Sequence, residues 1–426
     1  MGGGAAEANL HRPQDAAEST HYEEHDQLLW IGAVGGMEQA LVEHAKVCFQ
    51  AIETGQLRGI NPLKAAGNLL RMGQGFAQAH RLVRSFQPDV CFVTGGYVCV
   101  PVALACRLRG VPILTYLPDM NPGMAILIVS KLAQRVAVTF EEVAHFFGGL
   151  YPDGKSVITG YPVRQELIRA AGDRQNARRQ LFNSLHQLYL AHQESAQLDS
   201  EHQESVHQES AQPETEREAT PVKTDEKFSD DGLPLLLIWG GSQGARSINC
   251  ATWHELEKLL TVAHVLHVVG TRDWPLFTKE YQASLSSFSA QSYSVPLQKD
   301  QNIKGRYWPV AYLNEEMSLA LAAADLTVCR AGASTLGEFP VSRLPSILVP
   351  LPYQGVGQMH NAQKLARHDG AMIVKDEELK SKLAPTILEL LGNPDRLSDM
   401  RQRLAAIAEP NAAFNIASQL AQMARG

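Results

Sequence analysis

The sequence predicts an α/β chain with two Rossmann-like domains, and three observations support this. Short apolar runs alternate with helix-like stretches in both halves, an acidic repetitive segment separates the halves, and two small-residue turns follow strands in the second half. At 426 residues, 45% of them hydrophobic, the chain is long enough for two cores.

The first half carries LLWIG (28–32), VCFVT (90–94), VPILTY (111–116), RVAVTF (135–140) and SVIT (156–159). The second carries LLLIW (235–239), VLHVV (265–269), LTVCR (326–330) and SILVP (346–350). Runs this short and apolar read as parallel strands buried on both faces, with the intervening stretches as covering helices. The predicted organisation is a disordered 1–26, a first domain over 27–185, a disordered insertion over 186–232, a second domain over 233–407 and a final helix over 408–426.

The insertion owes its prediction to composition. Residues 186–232 hold Arg217, Lys223 and Lys227 against twelve acidic residues, and HQES recurs at 192–195, 202–205 and 207–210. Low hydrophobicity with high charge does not offset the entropy lost on ordering. The whole chain carries −7, so the remainder is near neutral, with no basic excess that would suit nucleic acid. Residues 1–26 lack the apolar centre of a signal peptide, and no run is long enough to span a bilayer. The six cysteines contain no CxxC pair, so reduced thiols are expected rather than disulfides or a zinc site.

The turns carry the chemistry. After LLLIW, GGSQGARSIN passes through Gly240, Gly241 and Gly244 into a helix, so backbone N–H groups and a helix N-terminus face one point, a geometry that favours an anion. No Gly-Lys-Ser/Thr follows, and the spacing is not GxGxxG, so neither a Walker loop nor a dinucleotide fingerprint fits. A tight structural turn is an equal reading of this stretch by itself. After LTVCR, AGASTLGEF sets Ser334 and Thr335 at a second helix start, with Glu338 spaced from Thr335 as in a capping box. The same carboxylate, one turn into the helix, suits vicinal sugar hydroxyls. Two such turns at strand ends point to a nucleoside diphosphate.

GGSQGARSIN, CRAGASTLGEF, PSILVPLPY followed by QMHNAQKL, GYPVR (160–164) and TGGYVCVPVALAC (94–106) resemble the MurG family, the undecaprenyldiphospho-muramoylpentapeptide β-N-acetylglucosaminyltransferases of peptidoglycan synthesis. The resemblance implies a GT-B fold and transfer of GlcNAc from UDP-GlcNAc to lipid I, giving lipid II, at the cytoplasmic face of the cell membrane as a peripheral protein. A cell-wall synthesis complex is a further implied partner. It places Ser242 and Gln243 at the diphosphate and sugar, the backbone near Leu313 at the uracil, Ser334 and Thr335 at phosphate, and Glu338 at the ribose. Arg164 is expected to face the donor from the first domain, with Gln358 at the sugar. Arg330 is either a ligand contact or a pairing group within the fold. No cofactor is implied, and without a DxD-like motif at the donor turns, inversion without a metal is expected, with backbone donors stabilising departing UDP.

Three departures from the family stand out. Residues 1–26 contain Gly2-Gly3-Gly4 but neither the family's opening strand nor its GGTGGH loop, YLPD (116–119) replaces His-Glu-Gln-Asn, and Val356-Gly357 replaces a polar pair. Asp119 is then the candidate base, with a turn residue as its plainer role. The stretch 57–76, basic and amphipathic, is expected to touch the membrane, and 79–86 to pack on the core. Other readings stay open: a UDP-sugar transferase acting on another lipid, a UDP-GlcNAc 2-epimerase, or a non-catalytic nucleotide-binding relative.

Overall fold

All paired strands among the described residues run parallel, as the buried apolar runs require. The computed structural model describes residues 27–36, 38–55, 62–188, 231–241, 243–285, 307–352 and 357–425, with only the backbone of 62–70 and 280–285. The expected disorder of 1–26 and of most of the insertion lies outside these residues. The chain divides into unit 1, Met1–Thr159 with Ala413–Gly426, and unit 2, Gly160–Ala412.

Unit 1 contains β1 (Leu29–Ala33), α1 (Glu38–His44), β2 (Cys48–Ile52), α2 (Pro62–Phe86), β3 (Cys91–Val93), α3 (Cys99–Leu108), β4 (Ile113–Leu117), α4 (Met124–Leu132), β5 (Arg135–Val138) and β6 (Ser156–Ile158). These strands form two sheets, β1-β2 and β3-β4-β5-β6. One apolar core nevertheless joins Ile52 of β2, Ala79 and Val83 of α2, Val93 of β3 and Val102 of α3, with Ile31 of β1 packed against it.

The basic stretch expected at a membrane is only partly described. Residues 56–61 and the side chains of 62–70 lie outside the description, while Phe76 packs against the unit 1 core, as does the 79–86 portion.

Unit 2 begins with α5 (Gln165–Gly172) and a helix over 174–188, α6. It continues through β7 (Leu235–Trp239), α7 (Arg246–His254), α8 (Leu256–Leu260), β8 (His264–Val268), α9 (Trp274–Leu285), β9 (Tyr307–Val310), α10 (Glu316–Ala323), β10 (Leu326–Cys329), α11 (Thr335–Ser342), β11 (Ser346–Leu348), α12 (Gln358–Arg367), β12 (Ala371–Ile373), α13 (Leu379–Leu391) and α14 (Pro394–Ala405). The last helix, α15 (Ala412–Arg425), puts Ile416 and Met423 against Leu114 and Tyr116 of unit 1, and Gln419 accepts from Arg135 at 2.7 Å.

The expected boundary at 185 moves to Thr159. Residues 160–188 are anchored inside unit 2: Arg174 and Arg178 pair with Asp325, which also accepts from Leu235 N at 2.9 Å and from Arg401 at 3.0 Å. The three guanidiniums share this one carboxylate, which also closes a sheet end, so removing Asp325 would take an ion-pair partner from the poorly solvated Arg178 and Arg401. The predicted insertion narrows as well. Residues 186–188 complete α6, and Asp231 Oδ1 lies 2.9 Å from His264 Nε2.

The unit 2 sheet has the order β12-β11-β10-β7-β8-β9. Its central strand β7 is fully buried from Leu235 to Ile238, because helices cover both sheet faces. Leu236 and Ile238 face a core with Ile248 of α7, Leu259 of α8, Phe277 of α9 and Ile387 of α13.

Candidate nucleotide site

In the order β12-β11-β10-β7-β8-β9, the direction of winding reverses between β7 and β10, the switch point of a doubly wound sheet. Trp239 and Cys329 are register partners there, so the turn 240–244 and the turn 330–334 leave side by side from adjacent strands. Parallel strands put the turns after β9 and β11 at the same edge. Thus Leu313, Gln243, the Ser334 to Glu338 group and Gln358 share one edge of one sheet.

The turn after β7 is shaped by glycine. Gly244 has φ +87°, and a Cβ there would lie 2.2 Å from Val269 O; Gly270, with φ +94°, approaches Gly244 just as closely. No side chain fits either position, so the backbones after β7 and β8 interlock. Gln243 is exposed in this turn, and Ser242 lies outside the described residues.

The second turn corrects the capping-box expectation. Ser334, not Thr335, precedes α11, and it makes no side-chain capping bond. The Thr335 hydroxyl donates to Gly332 O at 2.7 Å. The Glu338 carboxylate accepts from the Ser334 hydroxyl and faces the charge of Arg164. Burial pushes the Glu338 carboxyl above its ordinary value, and the hydroxyl and Arg164 only partly oppose this. Arg164 immediately precedes α5, and Tyr161 of the same GYPVR segment packs on Gly337. This segment belongs to unit 2 and not, as expected, to the first domain, because its helices are anchored there.

Arg330 resolves as a pairing group. It pairs with Asp376 and donates to Val349 O at 3.2 Å and Ser247 Oγ at 2.7 Å, while Ser247 donates to Asp376 at 2.8 Å. This clasp ties the start of α7 to the turn after β10. Asn361, fully buried in α12, donates to Ala331 O at 3.2 Å and steadies the same turn. Gln358 opens α12 and accepts from Leu351 N at 3.0 Å, so its carbonyl already serves the backbone. Leu313 is buried beyond β9. Asp119 follows β4 in unit 1 and is not part of the group assembled in unit 2. The sequence reading missed Ser247, Asp376 and Asn361; the only signal was polar residues in helix stretches close to the turns.

A UDP-N-acetylglucosamine–N-acetylmuramyl-(pentapeptide) pyrophosphoryl-undecaprenol N-acetylglucosamine transferase of Roseiflexus sp. (strain RS-1) is 34% identical over 423 residues, covering 91% of this chain and 82% of the relative. The chain belongs to the MurG family. A MurG relative of the same description from Desulforamulus reducens is 32% identical, covering 92% of this chain and 88% of the relative. The glycosyltransferase family 28 N-terminal domain matches residues 18–138, and the C-terminal domain of that family matches 235–416. The crystal structure of Acinetobacter baumannii MurG aligns with a TM-score of 0.60 at 21% identity, covering 93% of this chain and 91% of that one. A UDP-GlcNAc 2-epimerase from Neisseria meningitidis, bound to UDP-GlcNAc, aligns with a TM-score of 0.56 at 13% identity, a likeness of fold alone. As in MurG, the architecture is GT-B, with parallel α/β units, and the chain is a glycosyltransferase.

Proposed function

We propose that this chain transfers GlcNAc from UDP-GlcNAc to undecaprenyl-diphospho-N-acetylmuramoyl-pentapeptide, converting lipid I to lipid II with inversion at the anomeric carbon. The observation that carries this reading is the pair of turns at the β7–β10 switch point, with Glu338 half-buried one turn into α11 beside Arg164. Backbone N–H groups of the turn 240–244, with Ser242 and Gln243, take the diphosphate, aided by the N-termini of α7 and α11. Ser334 meets phosphate, Thr335, buried with its hydroxyl on Gly332 O, braces the turn instead of reaching the ligand as the resemblance implies, and Glu338 accepts from the ribose hydroxyls. The backbone at Leu313 meets the uracil, and Arg164 and Gln358 contact the donor. As the acceptor oxygen bonds to the anomeric carbon, the bond to the diphosphate breaks and UDP leaves with the electron pair. The fixed donors stabilise that charge without reorganising. The acceptor proton passes to a base, for which Asp119 is the candidate; Asp119→Asn should then lower kcat while leaving UDP affinity unchanged.

The acceptor is lipid-linked, and a second feature of unit 1 suits a membrane face. Met124, Ile128 and Phe146 are 62%, 43% and 41% exposed around a cavity of about 500 Å³ that also includes Lys131 and Lys155. Lys155 donates to Ser130 O and Ala133 O, so its charge sits at the C-terminus of α4. Exposed apolar side chains beside two ammonium groups match an anionic bilayer surface, where the protein would lie peripherally. No helix of the described residues is long and apolar enough to cross a membrane.

Transfer of labelled GlcNAc from UDP-GlcNAc to a lipid I analogue tests the activity. Inverted disaccharide product is expected, and UDP binding without transfer would overturn the enzymatic reading. Sedimentation with anionic vesicles should be weakened by Ile128→Glu; equal sedimentation would remove this face from the reading.

A further inference from the structure

We infer that Asn249 is a positioning residue for the nucleotide site, setting the glycine turn after β7 through a buried relay of hydrogen bonds. The inference rests on the proposed UDP-sugar reading and assigns a role to groups that contact no substrate.

Asn249 lies in the first turn of α7 and is 2% exposed. Its Nδ2 donates to Val269 O at 2.9 Å and to Asp273 Oδ2 at 3.1 Å, using both amide hydrogens. Its Oδ1 therefore accepts, and the partner is Nε2 of His267 at 2.9 Å. That assigns the imidazole proton to Nε2, and Nδ1 accepts from the Tyr307 hydroxyl at 2.9 Å. The Tyr307 oxygen in turn accepts from Trp253 Nε1 at 3.1 Å. All donors point the same way, from Trp253 through Tyr307, His267 and Asn249 to the Asp273 carboxylate. Burial lowers His267 to a pKa of about 3, so the ring stays neutral and keeps this one tautomer over the working pH range.

The relay ends at a specific atom. Val269 O, held by Asn249, is the carbonyl against which Gly244 closes, since a Cβ on Gly244 would sit 2.2 Å from it. One carbonyl is thus held from below by the relay and forms the wall of the turn above. If that carbonyl moves, the N–H groups that face the diphosphate move with it. Only an amide both accepts from His267 and donates to Val269. A carboxylate at 249 would accept from the imidazole but repel Asp273 and leave the carbonyl unpaired.

The test uses the full chain, with Asn249→Ala, Asn249→Asp and Tyr307→Phe compared by UDP calorimetry, UDP-GlcNAc kinetics and melting temperature. Asn249→Ala should weaken UDP binding and raise KM for UDP-GlcNAc at least tenfold, while kcat changes less than threefold. Asn249→Asp should be worse, and Tyr307→Phe milder in the same direction. Unchanged UDP affinity in folded Asn249→Ala, with only a lower melting temperature, would overturn the inference. If Asn249→Ala does not fold, Tyr307→Phe decides: unchanged UDP affinity and KM overturn the inference. Absence of UDP binding by the unaltered chain would instead overturn the nucleotide reading beneath it.

Discussion

Among the described residues, the two units solve the same packing problem with different arrangements of strands. In unit 2, β7 lies between β8 and β10, fuses six strands into one sheet and launches the turn 240–244. In unit 1, β1-β2 and β3-β4-β5-β6 share a core, yet no described strand stands between β1 and β3, the place β7 fills in unit 2. The side chains record the difference. Leu236 and Ile238 of β7 are 0% exposed, whereas Trp30 of β1 and Phe92 of β3 are 45% and 40% exposed. An anion-binding arch needs a buried central strand to stand on, and this contrast is why the nucleotide reading rests on unit 2.

The largest expected effect tests that contrast by truncation. Leu236→Ala should cost about 2–5 kcal/mol of stability, because the cavity opens between the sheet and the helices packed on it, which cannot collapse into it. Trp30→Thr should cost less than about 1 kcal/mol, since much of the ring is already solvated. Chemical denaturation of both variants decides, and equal losses would erase the distinction between the sheets.

Next in size is the carboxylate at the switch point. Glu338→Gln should weaken UDP binding by about 1.5–3 kcal/mol, the range for hydrogen bonds to a charged group. Burial raises the folded carboxyl above its unfolded value, so the folded state holds its proton to higher pH. Stability from this group is therefore present at low pH and lost as pH rises through the folded value, while UDP affinity moves the opposite way, because the ionised form accepts from ribose. Calorimetry across the acid range should show affinity rising with pH in the unaltered chain, and Glu338→Gln should flatten that rise. A slope that survives the substitution would assign the titration elsewhere.

The smallest effect concerns 189–230. Replacing it with a linker of about ten residues should stabilise unit 2 by about 1 kcal/mol through shorter loop closure and leave UDP affinity unchanged. A fall in melting temperature would show that this segment supports the fold.

Legibility followed burial. The strands read from sequence are mostly the interior ones, such as LLLIW and LTVCR, whose runs stay apolar because both faces are covered. The three strands the reading missed, β2, β9 and β12, are sheet edges. CFQAI is partly exposed, YWPV carries a proline that an edge tolerates, and AMI is only three residues long. At the site, the turns were legible because glycine and hydroxyl residues at a strand-to-helix junction have a direct physical meaning. Their supports were not. Ser247, Asn249 and Asp376 look like ordinary polar helix or loop residues until the fold brings Arg330 and His267 to them. Arg164 was read with the wrong half because the acidic insertion masquerades as a domain boundary, whereas the Asp325 cluster shows where the chain is anchored.

That cluster also decides which parts of the chain are free to act as joints. Because α6 and β7 are both fastened at Asp325, residues 189–230 leave and re-enter the same body, and a cut within them severs no link between units. The chain passes between units only at Thr159 to Gly160 and at Ala412 to Ala413. These two crossings, and not the length of 189–230, are therefore the covalent links that join the units.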